Sequence, residues 1–386
     1  MKKTVLLFGM LIVFVIGLSF LFTSLTGAEK EADVQRRWMI EPGMSVGEFG
    51  TANSLPNPML KDTFGLTSQQ DLQKPISGWG SDKEVLQKVQ QALALEGERT
   101  TKNWMKIRIK FAGWFLFVGL MSILLRKGLI TAKNRKWLYA FSVLLFGVIL
   151  GSDPSPMGTV KDAVVLYGSE GVIFRPRMIA FGTFTLLVIL ANKSICAWGC
   201  QLGTLQDLIF RLGRDKADRT GTLPQIKLPF ILTNAIRITF FIALTAIAFI
   251  WALDIVHPID PFRVFNPATL TLGGGIFLAI ILIASLFVYR PWCHLFCPFG
   301  LTGWLAEKIS LFNIRIDYDK CIGCEACSKA CPSNVMDAIL KQDKIRPDCF
   351  SCGTCVEVCP VKAVQFGVGK RQKVPRGKFS KTQETK

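Results

Sequence analysis

Eight of the chain's twelve cysteines fall in one pattern written twice. The copies are Cys321-Ile-Gly-Cys324-Glu-Ala-Cys327-Ser-Lys-Ala-Cys331-Pro332 and Cys349-Phe-Ser-Cys352-Gly-Thr-Cys355-Val-Glu-Val-Cys359-Pro360. Both read C-x2-C-x2-C-x3-C-P, the run that binds 4Fe–4S clusters. Three close thiolates hold three irons of a cube, and the fourth ligand comes from the other copy. The rule assigns one cluster to Cys321, Cys324, Cys327 and Cys359, and the other to Cys349, Cys352, Cys355 and Cys331. Structural zinc uses pairs of cysteines rather than triplets closed by Cys-Pro. Two adjacent clusters imply one-electron transfer.

The other four cysteines form two further pairs, Cys196-Ala-Trp-Gly-Cys200 and Cys293-His-Leu-Phe-Cys297-Pro298. Each follows an apolar run and a basic residue three positions upstream, Lys193 or Arg290, and precedes a stretch that reads as amphipathic, Leu205–Leu212 or Leu301–Leu311. An internal repeat with a period near 97 residues is therefore expected; Asp153-Pro154 and Asp260-Pro261 extend it upstream. A C-x3-C spacing puts both sulfurs on one side of a helical turn. Two pairs meeting across a pseudo-two-fold axis would supply four thiolates to a shared metal or iron–sulfur centre. Buried packing cysteines and redox dithiols remain alternatives.

The elements that must position these cysteines are membrane helices. Half of the 386 residues are hydrophobic, and the mean hydropathy is +0.36. Apolar runs suggest about six spans, near Val5–Phe22, Ile107–Leu125, Leu138–Leu150, Met178–Leu190, Ile231–Leu253 and Gly275–Tyr289. The formal net charge of +18 is unevenly spread. Lys/Arg residues precede the first span, separate the second from the third and the fourth from the fifth, and follow the sixth. The positive-inside rule then places both termini in the cytoplasm of a bacterial inner membrane. All twelve cysteines lie on that reducing side, which argues against disulfides. The basic charge follows topology, so nucleic acid is not expected as a partner.

The expected fold class is a mainly α integral-membrane helical bundle with a C-terminal α+β ferredoxin domain carrying two 4Fe–4S clusters. The expected divisions are an uncleaved N-terminal anchor (1–26), an external segment (27–106), a membrane domain (107–312), the ferredoxin domain (313–368) and a disordered basic tail (369–386). Within the external segment, Asp82–Glu96 reads as a capped amphipathic helix. A cleavable signal ending near Ser24-Leu25-Thr26-Gly27-Ala28 is the alternative reading of the first run.

Electron donors can be narrowed. The chain has two histidines, His257 in an external loop and His294 between two cysteines, so a bis-histidine haem is not expected. There is no P-loop and no strand-borne G-x-G-x-x-G; Gly273-Gly274-Gly275 reads as helix packing. A membrane quinol remains, with Asp254, His257, Asp260 and Arg263 as the expected site and His257 as proton acceptor. Asp153, Lys161 and Asp162 lie in the other loop on that side. Arg237, inside the fifth span, reads either as functional or as snorkelling to the surface.

The two C-x3-C pairs followed by the double ferredoxin motif resemble the membrane polyferredoxins of the NapH/NosR type, over about residues 107–365. The resemblance implies an electron-transfer subunit between the quinone pool, or a cytoplasmic donor, and a redox partner such as a periplasmic reductase, a flavoprotein or another iron–sulfur subunit. It carries over Cys196, Cys200, Cys293, Cys297, Pro298 and the eight ferredoxin cysteines. The chain departs from the pattern at Gln201, where proline is usual. It also lacks an S-G-A-T-like motif in 27–106, so covalent FMN is not expected. An assembly factor that reduces another enzyme's metal, or a membrane redox sensor, would be the rival functions.

Overall fold

The computed structural model describes residues 2–26, 38–214, 221–369 and 371–375. Lys216, Arg219, the Gly27-Ala28 site and most of the basic tail lie outside the described residues.

Three helices are long and apolar enough to cross a membrane: Lys2–Leu25, Trp104–Arg126 and Phe230–Trp251. Each leaves large apolar side chains uncovered by protein, among them Val13, Leu116 and Ile231. Hydrocarbon accepts such faces, whereas water would not. The remaining three expected spans are helical but shorter, so the count of six is not established by helix length. Leu138–Leu150 becomes an α-helix, Ala132–Ser142, continued by a wide π turn over Val143–Ile149. Met178–Leu190 lies in Arg175–Ala191, and Gly275–Tyr289 is reduced to Leu272–Ala284. These last two run into the cysteine turns. Asn192, φ 59°, ends the first of these helices, and Arg290, φ 48°, caps the start of the second cysteine turn, Pro291–Leu295. At Gly274 a Cβ would come within 2.5 Å of the Pro258 carbonyl oxygen. Within the triple glycine, Gly274 serves close packing, whereas a Cβ at Gly273 would meet nothing within 4 Å.

The C-terminal domain is α+β. Strand Phe312–Ile316 pairs antiparallel with Val364–Val368, Ile314 opposite Phe366. Between them lie short helices at Ala326–Ala330, Val335–Lys341 and Thr354–Glu357. The two cysteine motifs are offset by 28 residues, and the backbone repeats at that offset. Left-handed residues occur at Gly323 and Ser351, at Glu325 and Gly353, and at Asn334 and Lys362.

Residues 38–100 form a small subdomain around Phe49, Leu60, Val85 and Val89. Its last helix, Asp82–Thr100, begins at the expected position with a Ser81–Glu84 capping box. Thr4, at the start of the first span, hydrogen-bonds Thr222 at 2.8 Å. The same loop reaches the ferredoxin domain through Gln225, which donates to the Pro332 carbonyl. The first residues of the chain and the ferredoxin domain thus share one face.

Phe49 is fully buried, so Phe49→Ala should cost about 3–5 kcal/mol locally. Limited proteolysis of the full chain in detergent should then cut within 38–100 while leaving the cysteine-bearing core intact.

Candidate iron–sulfur sites

One cavity in the C-terminal domain is lined by Cys321, Cys324, Cys327 and Cys359, together with Ile316, Leu340 and Val364. A second is lined by Cys331, Cys349, Cys352 and Cys355. Each therefore draws three cysteines from one motif and one from the other. The sulfurs already meet polar hydrogens: the Ala363 amide donates to Cys359 Sγ at 3.2 Å, and Thr354 Oγ1 lies 3.4 Å from Cys352 Sγ. Arg211 and Arg135 pull the Cys352 thiol down against the cost of burial, as a ligating thiolate requires. Among the described residues no three His, Cys, Asp or Glu side chains are grouped to hold a single metal ion.

The four remaining cysteines are buried and close together. All four lie in one buried core cluster. The pairs do not sit on single helical turns as the spacing suggests. Cys196 lies in the π turn Ile195–Gly199, and Cys200 caps the next helix, Gln201–Phe210. Cys293 lies in Pro291–Leu295, and Cys297 caps Pro298–Glu307. The capping cysteines have nearly equal backbone angles, φ −72°, ψ 113° and φ −67°, ψ 116°. Helix N-terminal amides therefore face both sulfurs: Gly203 and Leu202 at Cys200, and Gly300 at Cys297. This arrangement favours thiolate. A Cβ at Gly203 would meet the Cys196 carbonyl oxygen at 2.7 Å, and one at Gly300 the Cys293 oxygen at 2.7 Å. Each glycine lets the helix start close over its own turn. Helix Gln201–Phe210 is buried on every face, where the sequence suggested an amphipathic surface helix. Thr204 donates to the Cys200 carbonyl, Gln201 donates to the Ser152 carbonyl, and Asp207 pairs with Arg211 and Arg290.

Buried charge surrounds the turns. Arg290 donates to Ala197 O at 3.0 Å and to Asp207 at 2.7 Å. Lys193 donates to Gly300 O at 2.9 Å and pairs with Asp348. Each basic residue thus reaches from its own pair to the other. Arg211 also binds Asp207, and Arg237 binds Asp348 at 3.1 Å. Arg237 is therefore an internal partner and does not snorkel. Lys193, Arg211, Arg237 and Arg290 outnumber Asp207 and Asp348 by two. Buried surplus charge needs a counter-charge, which thiolates at the four cysteines would supply. Gln206 Nε2, Trp292 Nε1 and Ser351 Oγ are buried and lack partners. Such donors fit sulfur acceptors.

Asp348 and Phe350 join this site to the ferredoxin domain, flanking Cys349 in sequence. The Phe350 ring lies under Lys193 and Arg290, 5.2 and 4.8 Å from its centroid, and 5.2 Å from His294. Burial keeps His294 neutral, down at about 4. Trp198 donates to Ser351 O at 3.2 Å. The importance of Asp207, Asp348 and Phe350 carries no motif signal, although Asp348 and Phe350 are adjacent to a marked cysteine.

The loop expected to take a quinol closes on itself. Asp254 accepts the Val256 and His257 amides and pairs with Lys161 at 2.7 Å. Arg263 contacts His257 Nε2 at 2.7 Å and also donates to the Thr269 carbonyl. Asp260 caps Phe262, and burial pushes it up to about 6. His257 is exposed. The four residues share one loop, but their polar groups point into it.

Comparison with known proteins agrees with this chemistry. The family model of the 4Fe-4S dicluster domain matches residues 314–366. A model of the 4Fe-4S binding domain matches twice, at 176–220 and 270–316, and each match spans one C-x3-C pair. YccM of Escherichia coli, whose name assigns it provisionally to electron transport, is 32% identical over 48% of this chain and 53% of its own length. The chain thus spans about half of that relative. The ferredoxin-type protein NapH of Escherichia coli is 30% identical over 45% of this chain and 62% of its own length. NapH of Haemophilus influenzae is 27% identical over 54% of this chain and 69% of its own. No solved structure matches. These likenesses, the apolar helices and the cysteine cavities describe a membrane iron–sulfur protein that resembles the NapH-type polyferredoxins.

Proposed function

We propose that the protein is a membrane-bound electron-transfer subunit linking the quinone pool to a redox partner through two 4Fe–4S clusters and a third sulfur-ligated centre. Cys321, Cys324, Cys327 and Cys359 hold one cluster; Cys331, Cys349, Cys352 and Cys355 hold the second. Cys196, Cys200, Cys293 and Cys297 hold the third centre. When bound, these groups supply one-electron redox chemistry. The protein's part is to order them. Phe350, beside a ligand of the second cluster, contacts both basic residues of the membrane turns, so the sites form one series. The observation that carries the reading is the lining of the two cavities, each by three cysteines of one motif and the fourth of the other.

The same reading takes the C-x3-C segments as an internal repeat within six membrane-crossing segments, three of them shortened. The matched geometry at Cys200 and Cys297 supports it, as does the doubled family match. Both termini then lie in the cytoplasm, with 27–106 outside, and membrane lipid surrounds 107–312.

Purified anaerobically, the protein should contain at least about eight irons, the requirement of two cubes. Cys324→Ala should remove one cluster's electron paramagnetic resonance signal and loosen the domain. A zinc-loaded, iron-free product from iron-replete anaerobic cells would refute the proposal. Cys196→Ala and Cys293→Ala should give one shared defect: lost electron flow with both ferredoxin signals retained. Different phenotypes would separate the pairs. A reporter fused after Lys386 should be active only as a cytoplasmic fusion, and one inserted at Gly65 only from outside.

A further inference from the structure

We propose that a cavity at the Trp104 end of the Trp104–Arg126 span binds the ring of a quinol, and that Phe111 and Trp114 conduct its electrons to the cysteine turn at Cys200. The inference rests on the electron-transfer reading above and locates its quinone step away from the Asp254–Arg263 loop.

The cavity lies between the starts of the helices Trp104–Arg126, Pro156–Glu170 and Arg175–Ala191. Trp104, Phe111 and Phe174 supply flat apolar walls, and Asp153, Asp162 and Arg177 supply polar ones. The ferredoxin domain packs at the other end of the same span, where a Cβ on Gly353 would meet Leu125 at 2.8 Å. A helix of 23 residues separates these ends by roughly 35 Å.

The polar groups indicate what the cavity takes. Arg177 Nη2 is held by Glu98 at 2.8 Å and by Asp162 at 3.3 Å. Its Nη1 is buried without a partner, so the site offers a donor that seeks an oxygen. Asp153, Asp162 and Glu98 outnumber Lys102 and Arg177 by one in the lining, which disfavours phosphate or a fatty-acid carboxylate. A neutral ring carrying oxygen at its rim satisfies the donor without adding charge, and its faces match the aromatic walls.

The path inward is aromatic. Phe111 meets Trp114 edge-on at 5.3 Å, and Trp114 Nε1 donates to Gly199 O at 2.9 Å, beside Cys200. Phe111 also stacks with Phe184 at 5.3 Å, which meets Phe299 at 6.1 Å, two residues beyond Cys297. One ring in the cavity wall thus leads to both cysteine turns. On oxidation the quinol becomes the quinone. Its two electrons pass to oxidised iron–sulfur centres, and its two protons are released at the same end. There Asp162 and Asp254 flank Lys161 at 2.8 and 2.7 Å.

The test uses the iron-loaded full chain in lipid nanodiscs, with radiolabelled menadione as the binding probe and empty nanodiscs as the blank. Ala180→Phe fills the cavity and should weaken menadione binding at least tenfold. Arg177→Met should weaken it several-fold. Trp114→Leu, outside the cavity lining, should bind nearly as the parent does, yet slow the bleaching of cluster absorbance by menadiol several-fold. Dithionite should bleach all of them equally. The proposal is overturned if Ala180→Phe binds menadione like the parent. It is also overturned if the parent, fully bleached by dithionite, neither binds menadione above the blank nor takes electrons from menadiol. Absence of any dithionite-bleachable cluster would instead defeat the electron-transfer reading itself, and this proposal with it.

Discussion

Two buried carboxylates hold the molecule's redox core together. Asp207 binds Arg290 and Arg211, and Asp348 binds Lys193 and Arg237. Lys193 and Arg290 belong to opposite cysteine turns, Arg237 to a membrane span, and Asp348 to the ferredoxin domain. The pairs therefore tie four separate pieces of chain at one place. In a dry interior these charges attract strongly but cost much to desolvate, and removing one member costs about 3–5 kcal/mol because the others stay buried and unpaired. Replacing the whole set by apolar residues would cost less stability. What it would lose is the positive surplus beside the four membrane cysteines.

The ferredoxin half was legible because its chemistry is local. Four cysteines at fixed spacing, followed by proline, specify ligands and turn together, and the left-handed backbone positions at Gly323, Ser351, Glu325, Gly353, Asn334 and Lys362 repeat with the motif. Only two of these six are glycine at both a motif position and a left-handed angle, so the backbone repeat is clearer than the residue repeat. The membrane half was legible in composition but not in geometry. Apolar length marks hydrophobic segments; it does not say where one bends. The C-x3-C spacing suggested a single helical turn, but the extended backbone at Cys200 and Cys297 splits each pair between one element and the cap of the next. The Pro298 ring explains this at the second pair. At the first, Gln201 gives no such signal, and the tight approach of Gly203 to Cys196 is what fixes the turn.

Charged residues were the hardest to read. Asp207 and Asp348 look like ordinary surface acids in sequence, and Arg237 admitted two readings until its partner came from 111 residues away. The loop from Asp254 to Arg263 has the right composition for proton chemistry. Its polar groups are nevertheless spent on its own backbone and on Lys161. Arg177 sat in a short loop with no motif around it. Its significance is that one guanidinium nitrogen faces the interior unanswered, a property of packing rather than of sequence.

The depth of the cysteine turns explains why two of the expected spans are short. Trp114 is close to the middle of the Trp104–Arg126 helix, and its indole binds the carbonyl of Gly199. The first turn therefore lies well inside the span rather than at its end. Backbone that leaves helical geometry at such depth must be covered by protein, because lipid offers no hydrogen bonds. The fully buried helix Gln201–Phe210 provides that cover, and the guanidinium of Arg290 takes the free carbonyl of Ala197. Cutting the helices Arg175–Ala191 and Leu272–Ala284 short is thus the condition for bringing thiolates inward from the face that bears the ferredoxin domain. In the proposed electron path, sulfur sites that begin in the ferredoxin domain and end at this depth would shorten the insulating layer left to cross, and the rings of Trp114 and Phe111 lie in what remains.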